Sequence, residues 1–553
     1  MRLAFVVLTI VLVFLQLEIY STEAASDGLT TIIQAEEVLN KIRAHEAIDY
    51  DYVVINGDLN ISNIDLPILL ISRVGQENEV PFLSKNIKII ESHINIRNSE
   101  IKGTLNLDNI LFLDDVDFNG TIFDNNVHFR GSIFNKNACF SHVQFCGKAF
   151  FEWSKYFCET NFAGAKFLNE SHFLEAEFNK TAIFDHSFFQ RFSDFRGIVS
   201  RDFASFLETE FLGDTYFQNA KFFKESDFRN SKFYGFSDFS GSKFYQKTDH
   251  RANIYMRDAR FPYAQFDGEA LFSQAYFGNY ADFREAQFNE NAFFCNNNFS
   301  NSAYFMNSKF YKIADFIGSI FNGDADFNDA KFSDSRSYPS LFSRVLFRGN
   351  VSFAGSQMSS ISDFRYSEFN NNLNLTNMGF DHLEIKWDNI KNNMICDENV
   401  YVSLIKNFKN LGQFDDADNC YYHYRIWAQD RKNFISTSKI IDIISWISCG
   451  YGIRWQNTII SSFLMMVIFG FFFLSTFYNS RIEGDKLLEL IEKSMIISTM
   501  TLLSLPSDWY PFEKEEYVSC IKQNIWPAIV ERIIGWFLLL LLIGVLTRVM
   551  VRY

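Results

Sequence analysis

The sequence predicts an all-β, right-handed, four-sided β-solenoid followed by an α-helical neck and an α-helical two-span membrane domain. Three observations carry that prediction. Phenylalanine recurs at gaps of five and six residues through the middle of the chain, helical periodicity takes over after Phe380, and two long uncharged apolar runs lie near the C-terminus.

The recurrence is plain in "ADFREAQFNENAFFCNNNFSNSAYFMNSKFYKIADF", residues 281–316, with phenylalanine at 283, 288, 294, 299, 305, 310 and 316. On a helix a five-residue step rotates the side chain by about 140°, scattering the rings over opposite faces. A flat strand is excluded as well, because alternating odd and even steps would send successive rings to different sides. A chain that turns between rings satisfies both constraints. The first series runs at eleven-residue intervals from Phe118 to Phe239, with a second series five residues behind. His250 and Tyr156 replace members without shifting the frame. The first series resumes at 261 and holds to Tyr338, then restarts fifteen residues later at Phe353, which predicts a four-residue insertion around Tyr338 to Asn350.

Two residues before each ring the side chain is usually small, as at Ala281, Ala286, Ala292, Ala303, Ser308 and Ala314. Small then large, both inward, describes a very short strand, and the Asn, Asp, Gly and Ser between supply turns. Four such sides close a coil of about 22 residues; twelve coils rising ~4.8 Å each give a rod of roughly 55 to 60 Å. Residues 26–100 are expected to form an N-terminal cap with irregular first coils, with a helix over 29–48, and the regular solenoid is expected over 101–380.

The A-x-F-x-x-x-A-x-F units resemble pentapeptide-repeat proteins of the Phe-rich kind with an eleven-residue double unit. The resemblance implies the quadrilateral β-helix and says little about activity.

At the N-terminus, Arg2, the apolar run Leu3 to Leu17 and small residues near Thr22-Glu23-Ala24 have the three-part form of a secretory signal over residues 1–25. Sequons at Asn60, Asn119, Asn169, Asn179, Asn298, Asn350 and Asn374 agree with an exported solenoid. The net charge of −15 argues against nucleic acid as the main partner. Eight cysteines show no CxxC or Cys/His spacing suited to zinc, so neither metal nor cofactor is expected. No G-x-S-x-G, P-loop, HExxH or paired-carboxylate constellation points to an enzyme.

After Phe380, Leu383, Ile385, Trp387, Ile390, Val402, Leu404, Ile405 and Phe408 read as helical, giving a hairpin and neck over 381–456. Asp415, Asp416 and Asp418 lack EF-hand order and read as a helix N-terminus or turn, and His423 reads as structural. Lys439 to Ser448 is amphipathic and is expected in the membrane interface. The Gly-Tyr-Gly of "SCGYGI", Ser448 to Ile453, precedes the first apolar helix and reads as a junction turn.

The domain 457–553 is expected to cross the lipid membrane twice, at 459–478 and 529–550. Between the spans, apolar residues ending at Pro506 are too few to cross, which suits a re-entrant pore helix over 491–505. "STMTLLSLPSDWYP", Ser498 to Pro511, resembles the pore helix and filter of potassium-channel pore modules. Ser504 and Leu505 stand at the Thr-Val positions, Asp508 at the following Asp, and Pro506 and Ser507 where that family has Gly-Tyr-Gly, one residue short. Proline cannot adopt the conformations that let glycine carbonyls face an ion. The whole C-terminal half resembles archaeal chains that join pentapeptide repeats to such a module.

The resemblance implies a homotetrameric, multi-pass cation channel of the cell membrane, binding monovalent cations. Its filter-like residues would be Thr501, Ser504, Leu505, Pro506, Ser507 and Asp508, with an extracellular solenoid as sensor or binding arm. Export of residues 26–458 would make the pore loop dip from the cytosol; Arg454, Arg481, Lys486, Arg548 and Arg552 fall on both sides and do not decide the orientation. The alternative expectation is a membrane-anchored surface adhesion or scaffold protein with a degenerate, non-conducting pore module.

Overall fold

The computed structural model describes residues 31–70, 86–333, 335–479, 487–509, 511 and 514–550. The expected signal segment, together with Arg481, Lys486 and Arg552, lies outside the described residues. The chain divides into two units, Met1–Asp397 and Glu398–Tyr553.

The first unit is a four-walled β-solenoid built almost wholly from two-residue parallel strands, in three sheets of fifteen strands and one of thirteen. Strands pair one coil apart, 22 residues on, as in Ala292 with Ala314 and Phe288 with Phe310. The ladders extend from Thr31–Gln34 to Met394–Ile395, beyond the 101–380 expected from phenylalanine alone. The early coils fill their axis with aliphatics, including Ile55, Ile94, Ile101, Leu105 and Ile110, so a count of aromatic rings does not register them. Fifteen strands in a wall correspond to a rod of ~70 to 75 Å rather than the 55 to 60 Å of twelve coils. The helix expected over 29–48 is shorter: a strand, Thr31–Gln34, precedes α1, Ala35–Arg43, whose buried face of Ala35, Val38, Leu39 and Ile42 packs on the first coil.

Two kinds of corner explain the five-then-six spacing. In the five-residue step from Phe118 to Phe123, the Thr121 N–H donates to the Phe118 carbonyl at 3.0 Å, and Gly120 takes a left-handed φ of +68°. In the six-residue step, a looser bend at Asp124–Asn126 adds one residue before the next strand, Val127–His128. Left-handed residues recur every eleven positions (Gly131, His142, Trp153, Gly164, Glu175, His186), and among the described residues none is Val, Ile or Thr. A β-branched side chain is the most strained choice at positive φ, whereas glycine carries no such cost and Asn and Asp tolerate it.

Inside, rings one coil apart stack face to face: Phe206 and Phe228 have centroids 4.9 Å apart with planes 2° from parallel. Rings from facing walls meet edge to face, as Phe206 and Phe217 do at 5.4 Å and 90°. Each ring thus finds both favourable aromatic geometries, worth about 0.5–1.5 kcal/mol per pair beyond burial. Inward serines and threonines satisfy corner carbonyls of the coil beneath, as Ser187 Oγ does by donating to the Phe162 carbonyl at 2.7 Å. Buried hydroxyls of this kind add coil-to-coil links, although Thr160 Oγ1 and Ser171 Oγ are buried without a partner.

The insertion lies earlier than the phenylalanine count placed it. Ala314 pairs with Ser340 and Phe316 stacks on Phe342 at 4.8 Å, so the fifteen-residue step runs from Phe327 to Phe342 and the extra residues fall between Phe332 and Ser340. Tyr338 keeps the eleven-residue count but is only half-buried; Ser340-Leu341-Phe342 supplies the small-then-large inward pair. A second correction concerns the residues just after Phe380. Leu383–Glu384 pairs with Ser362–Asp363, and Met394–Ile395 with Leu373–Asn374, making a further coil. Leu383, Ile385 and Trp387 are buried at two-residue spacing, a strand period, before the short helix α2, Trp387–Ile390.

The second unit is helical: α3 (Glu398–Asn410), α4 (Phe414–Asp430), α5 (Thr437–Cys449), α6 (Trp455–Asn479), α7 (Leu487–Leu502), α8 (Lys514–Gln523) and α9 (Ile525–Met550). Asp415 and Asp416 lie in the first turn of α4, where acidic side chains complement the helix dipole. Gly450, Tyr451 and Gly452 all have positive φ and form the turn between α5 and α6.

Candidate functional site

Among the described residues two helices are long and apolar enough to cross a membrane, Trp455–Thr476 of α6 and Ile525–Arg548 of α9. Both carry exposed apolar side chains, among them Ile460, Phe463, Phe471, Ile533, Trp536 and Leu540. Helix α7 packs between them. Its Leu490, Ile497 and Met500 join Phe469 and Phe473 of α6, Tyr517 and Cys520 of α8 and Ala528 of α9 in one buried cluster.

Glycines set the two close approaches. A Cβ on Gly535 of α9 would stand 1.9 Å from the Leu502 carbonyl oxygen, and one on Gly470 of α6 would stand 2.7 Å from Met495 Sδ. Small residues of this kind let helix backbones approach within apolar surroundings, where contact itself must hold them together. Polar links add to this: Ser498 Oγ donates to the Met466 carbonyl at 2.8 Å and contacts the Glu531 carboxyl, and Asn524 Nδ2 donates to Thr476 Oγ1 at 2.7 Å.

The six filter-like residues fall on three successive pieces of chain. Thr501 is buried in the last turn of α7 and donates to the Ile497 carbonyl at 2.7 Å. Ser504 and Leu505 cap the helix: Ser504 has φ +52°, its N–H donates to the Thr501 carbonyl at 3.1 Å, and the Leu505 N–H donates to the Met500 carbonyl at 2.9 Å. These two bonds are the Schellman pattern, with serine at the left-handed position usually held by glycine and Pro506 blocking continuation. Ser507–Trp509 forms a single 3-10 turn, with Pro506 and Asp508 exposed. The pore helix expected over 491–505 thus starts and stops earlier, at Leu487 and Leu502, because Ser504 ends it.

Glu531 was not singled out from sequence, although an acid inside an apolar span is itself a signal of function. It is fully buried, and its Oε2 has no hydrogen-bond partner. Beside the spans, α5 exposes Ile440, Ile441, Ile444 and Ile447 while Asp442 faces inward. Arg425 donates to Asp442 Oδ1 at 2.6 Å and Lys432 lies 2.5 Å from Oδ2. Burial works against ionisation of Asp442, but the two cations outweigh it and hold its carboxyl below the usual range. Arg548, near the end of α9, donates to Asp418 of α4 at 2.7 Å.

On the solenoid, a groove of about 1040 Å³ lies beside the insertion, lined by Lys331, Phe332, Tyr338, Gln357 and Met358 among others. Among the described residues no cluster of His, Cys, Asp and Glu could hold a metal ion.

No curated protein and no solved structure matches the chain. A family model of pentapeptide repeats, nine copies long, matches residues 298–336. That match covers the Phe-stacked strands from Asn298–Phe299 to Lys331–Phe332 and runs into the insertion, and the chain is accordingly a β-solenoid with similarity to pentapeptide-repeat proteins, followed by a helical region that contains two membrane-length helices.

Proposed function

We propose that the chain is an ion-channel-like membrane protein, a homotetramer that passes monovalent cations, with the solenoid outside the cell as a sensor or binding arm. The observation that carries this reading is the placement of α7. Its 16 residues span ~24 Å, less than the ~30 Å hydrocarbon core, yet it is wedged between two membrane-length helices and ends in a turn bearing Asp508. A non-spanning helix at membrane depth has to be shielded by protein or open onto water, and subunits around an axis provide both. In such a ring, Asp508 carboxylates would concentrate cations at the mouth.

A second reading has its own support. The cap at Ser504 and the exposed Pro506 turn the chain as a helix stop, and proline cannot adopt the conformations by which a filter aligns successive carbonyls. A membrane-anchored adhesion or scaffold protein with a silent pore module fits that local geometry.

Full-length protein in planar bilayers separates the two. The channel reading expects cation current from a fourfold particle, reduced by Asp508→Asn. Absence of current in every ionic condition, with a monomeric or dimeric particle, overturns the channel reading and favours the scaffold. Glycan mapping at Asn298 and cysteine labelling at position 508 test the orientation.

A further inference from the structure

Ser498 of α7 makes two contacts with one hydroxyl. Its Oγ lies 2.8 Å from the Met466 carbonyl of α6 and against Oε1 of Glu531 on α9. A serine hydroxyl carries a single hydrogen, and the Met466 carbonyl only accepts. With an ionised Glu531, two acceptors on two helices would compete for that hydrogen. A charge would also stand in a contact where Oε2 has no partner. A proton on the carboxyl resolves the conflict: Glu531 O–H donates to Ser498 Oγ, and Ser498 O–H donates to the Met466 carbonyl.

Among the described residues no cation pairs with Glu531 in place of that proton. Helix α6 has no acidic, basic or histidine residue, and its one tyrosine, Tyr478, is next to its last residue. On α7 the ionisable groups, Glu489, Glu492 and Lys493, sit toward its start, with both glutamates exposed. On α8, Tyr517 Oη lies 3.4 Å from Arg532, the cation next to Glu531 in sequence, and no ion pair among the described residues includes Glu531.

We propose that Glu531 is an intramembrane proton-binding site whose occupancy latches α7 to α6 and α9. Loss of the proton breaks the three-helix chain and frees the end of α7 that leads into the turn at Ser504. The inference stands on helix packing and holds whether or not the assembly conducts.

Infrared spectroscopy of the full chain in lipid nanodiscs tests it directly. At neutral pH the wild type should show the carbonyl band of a protonated carboxyl that Glu531→Gln lacks, and Ser498→Ala should shift that band without abolishing it. Because the folded state would hold a proton that the unfolded state releases above the ordinary carboxylate range, wild-type thermal stability should fall relative to that of Glu531→Gln as pH rises from that range through neutrality. An unchanged band in Ser498→Ala, or no band separating wild type from Glu531→Gln, overturns the proposal. So does wild-type stabilisation by sodium or potassium that Glu531→Gln loses, which would make the site one for a metal cation. Should Glu531→Gln fail to fold, the band shift in Ser498→Ala still decides.

Discussion

His250 Nδ1 lies 3.0 Å from the Tyr255 hydroxyl inside the aromatic axis, with the imidazole stacked between Phe228 at 4.7 Å and Phe272 at 4.8 Å. Asn253 Nδ2 donates to the same hydroxyl at 3.1 Å, leaving His250 Nε2 buried without a partner. Burial pushes the imidazole down to about 3. An unfolded histidine titrates near 6.5, so between those values the unfolded chain binds a proton that the folded one refuses. Stability is therefore full above about pH 6.5 and is lost as pH falls toward 3, at up to ~1.4 kcal/mol per pH unit. His250→Phe should remove this slope, and urea titrations of both proteins at about pH 7 and about pH 5 should show it. Parallel losses on acidification would place a solvated histidine there.

Two adjacent phenylalanines should respond in opposite ways. Phe294 is fully buried and stacks on Phe272 and Phe316 at 5.1 and 5.0 Å, whereas Phe293 points outward and is half-buried. Phe294→Ala should cost about 3–5 kcal/mol through lost burial and the cavity left behind. Phe293→Ala should cost under about 1 kcal/mol. Denaturant midpoints at constant slope measure both, and equal losses would refute the inward and outward assignment.

That contrast also marks how far the residues alone lead. The walls were legible because one side chain, repeated at five and six, fixes which way each strand faces. The coils before residue 101 were legible only as irregular ones, since Ile and Leu do the same job there, as at Ile55 and Ile94, without an unusual composition to flag them. Tyr338 misled because it keeps the eleven-residue count while Phe342 holds the ladder. In the helical unit, lengths of apolar runs located both membrane-length helices, but the hydroxyl of Ser498 and the carboxyl of Glu531 meet only through packing of three helices, which no local pattern encodes.

The left-handed corners make a sharper test of backbone chemistry. Asn296 has φ +55°, and the next coil places Gly318 so close that a Cβ there would stand 2.5 Å from Asn296 Oδ1. Asn296→Gly should be nearly neutral, whereas Asn296→Val should lose about 1–2 kcal/mol from strain at positive φ. Gly318→Ala should be worse than either, having both strain and a clash to resolve. Thermal unfolding by circular dichroism ranks the three, and a valine variant as stable as the glycine variant would disprove the turn geometry.

Asp442 holds α5 in place from its polar side. It is 6% exposed and accepts from both Arg425 and Lys432, whose side chains are 29% and 36% exposed, so solvent screens the cations only in part. Asp442→Ala should cost about 1–3 kcal/mol, because the hydrogen bonds lost are charge-assisted and Arg425 is left half-buried without its carboxylate. Arg425→Ala alone should cost less, since Lys432 still serves the carboxylate, and the double variant should recover part of the loss. The depressed Asp442 carboxyl gives the sign of the pH effect: its contribution is present above the ordinary carboxylate range and disappears as pH falls below it. Release of α5 would also free Trp446, whose indole N–H donates to Tyr422 Oη at 2.9 Å. Trp446 fluorescence in lipid nanodiscs should therefore change together with stability in Asp442→Ala. A fluorescence change without loss of stability would separate the helix anchor from the fold.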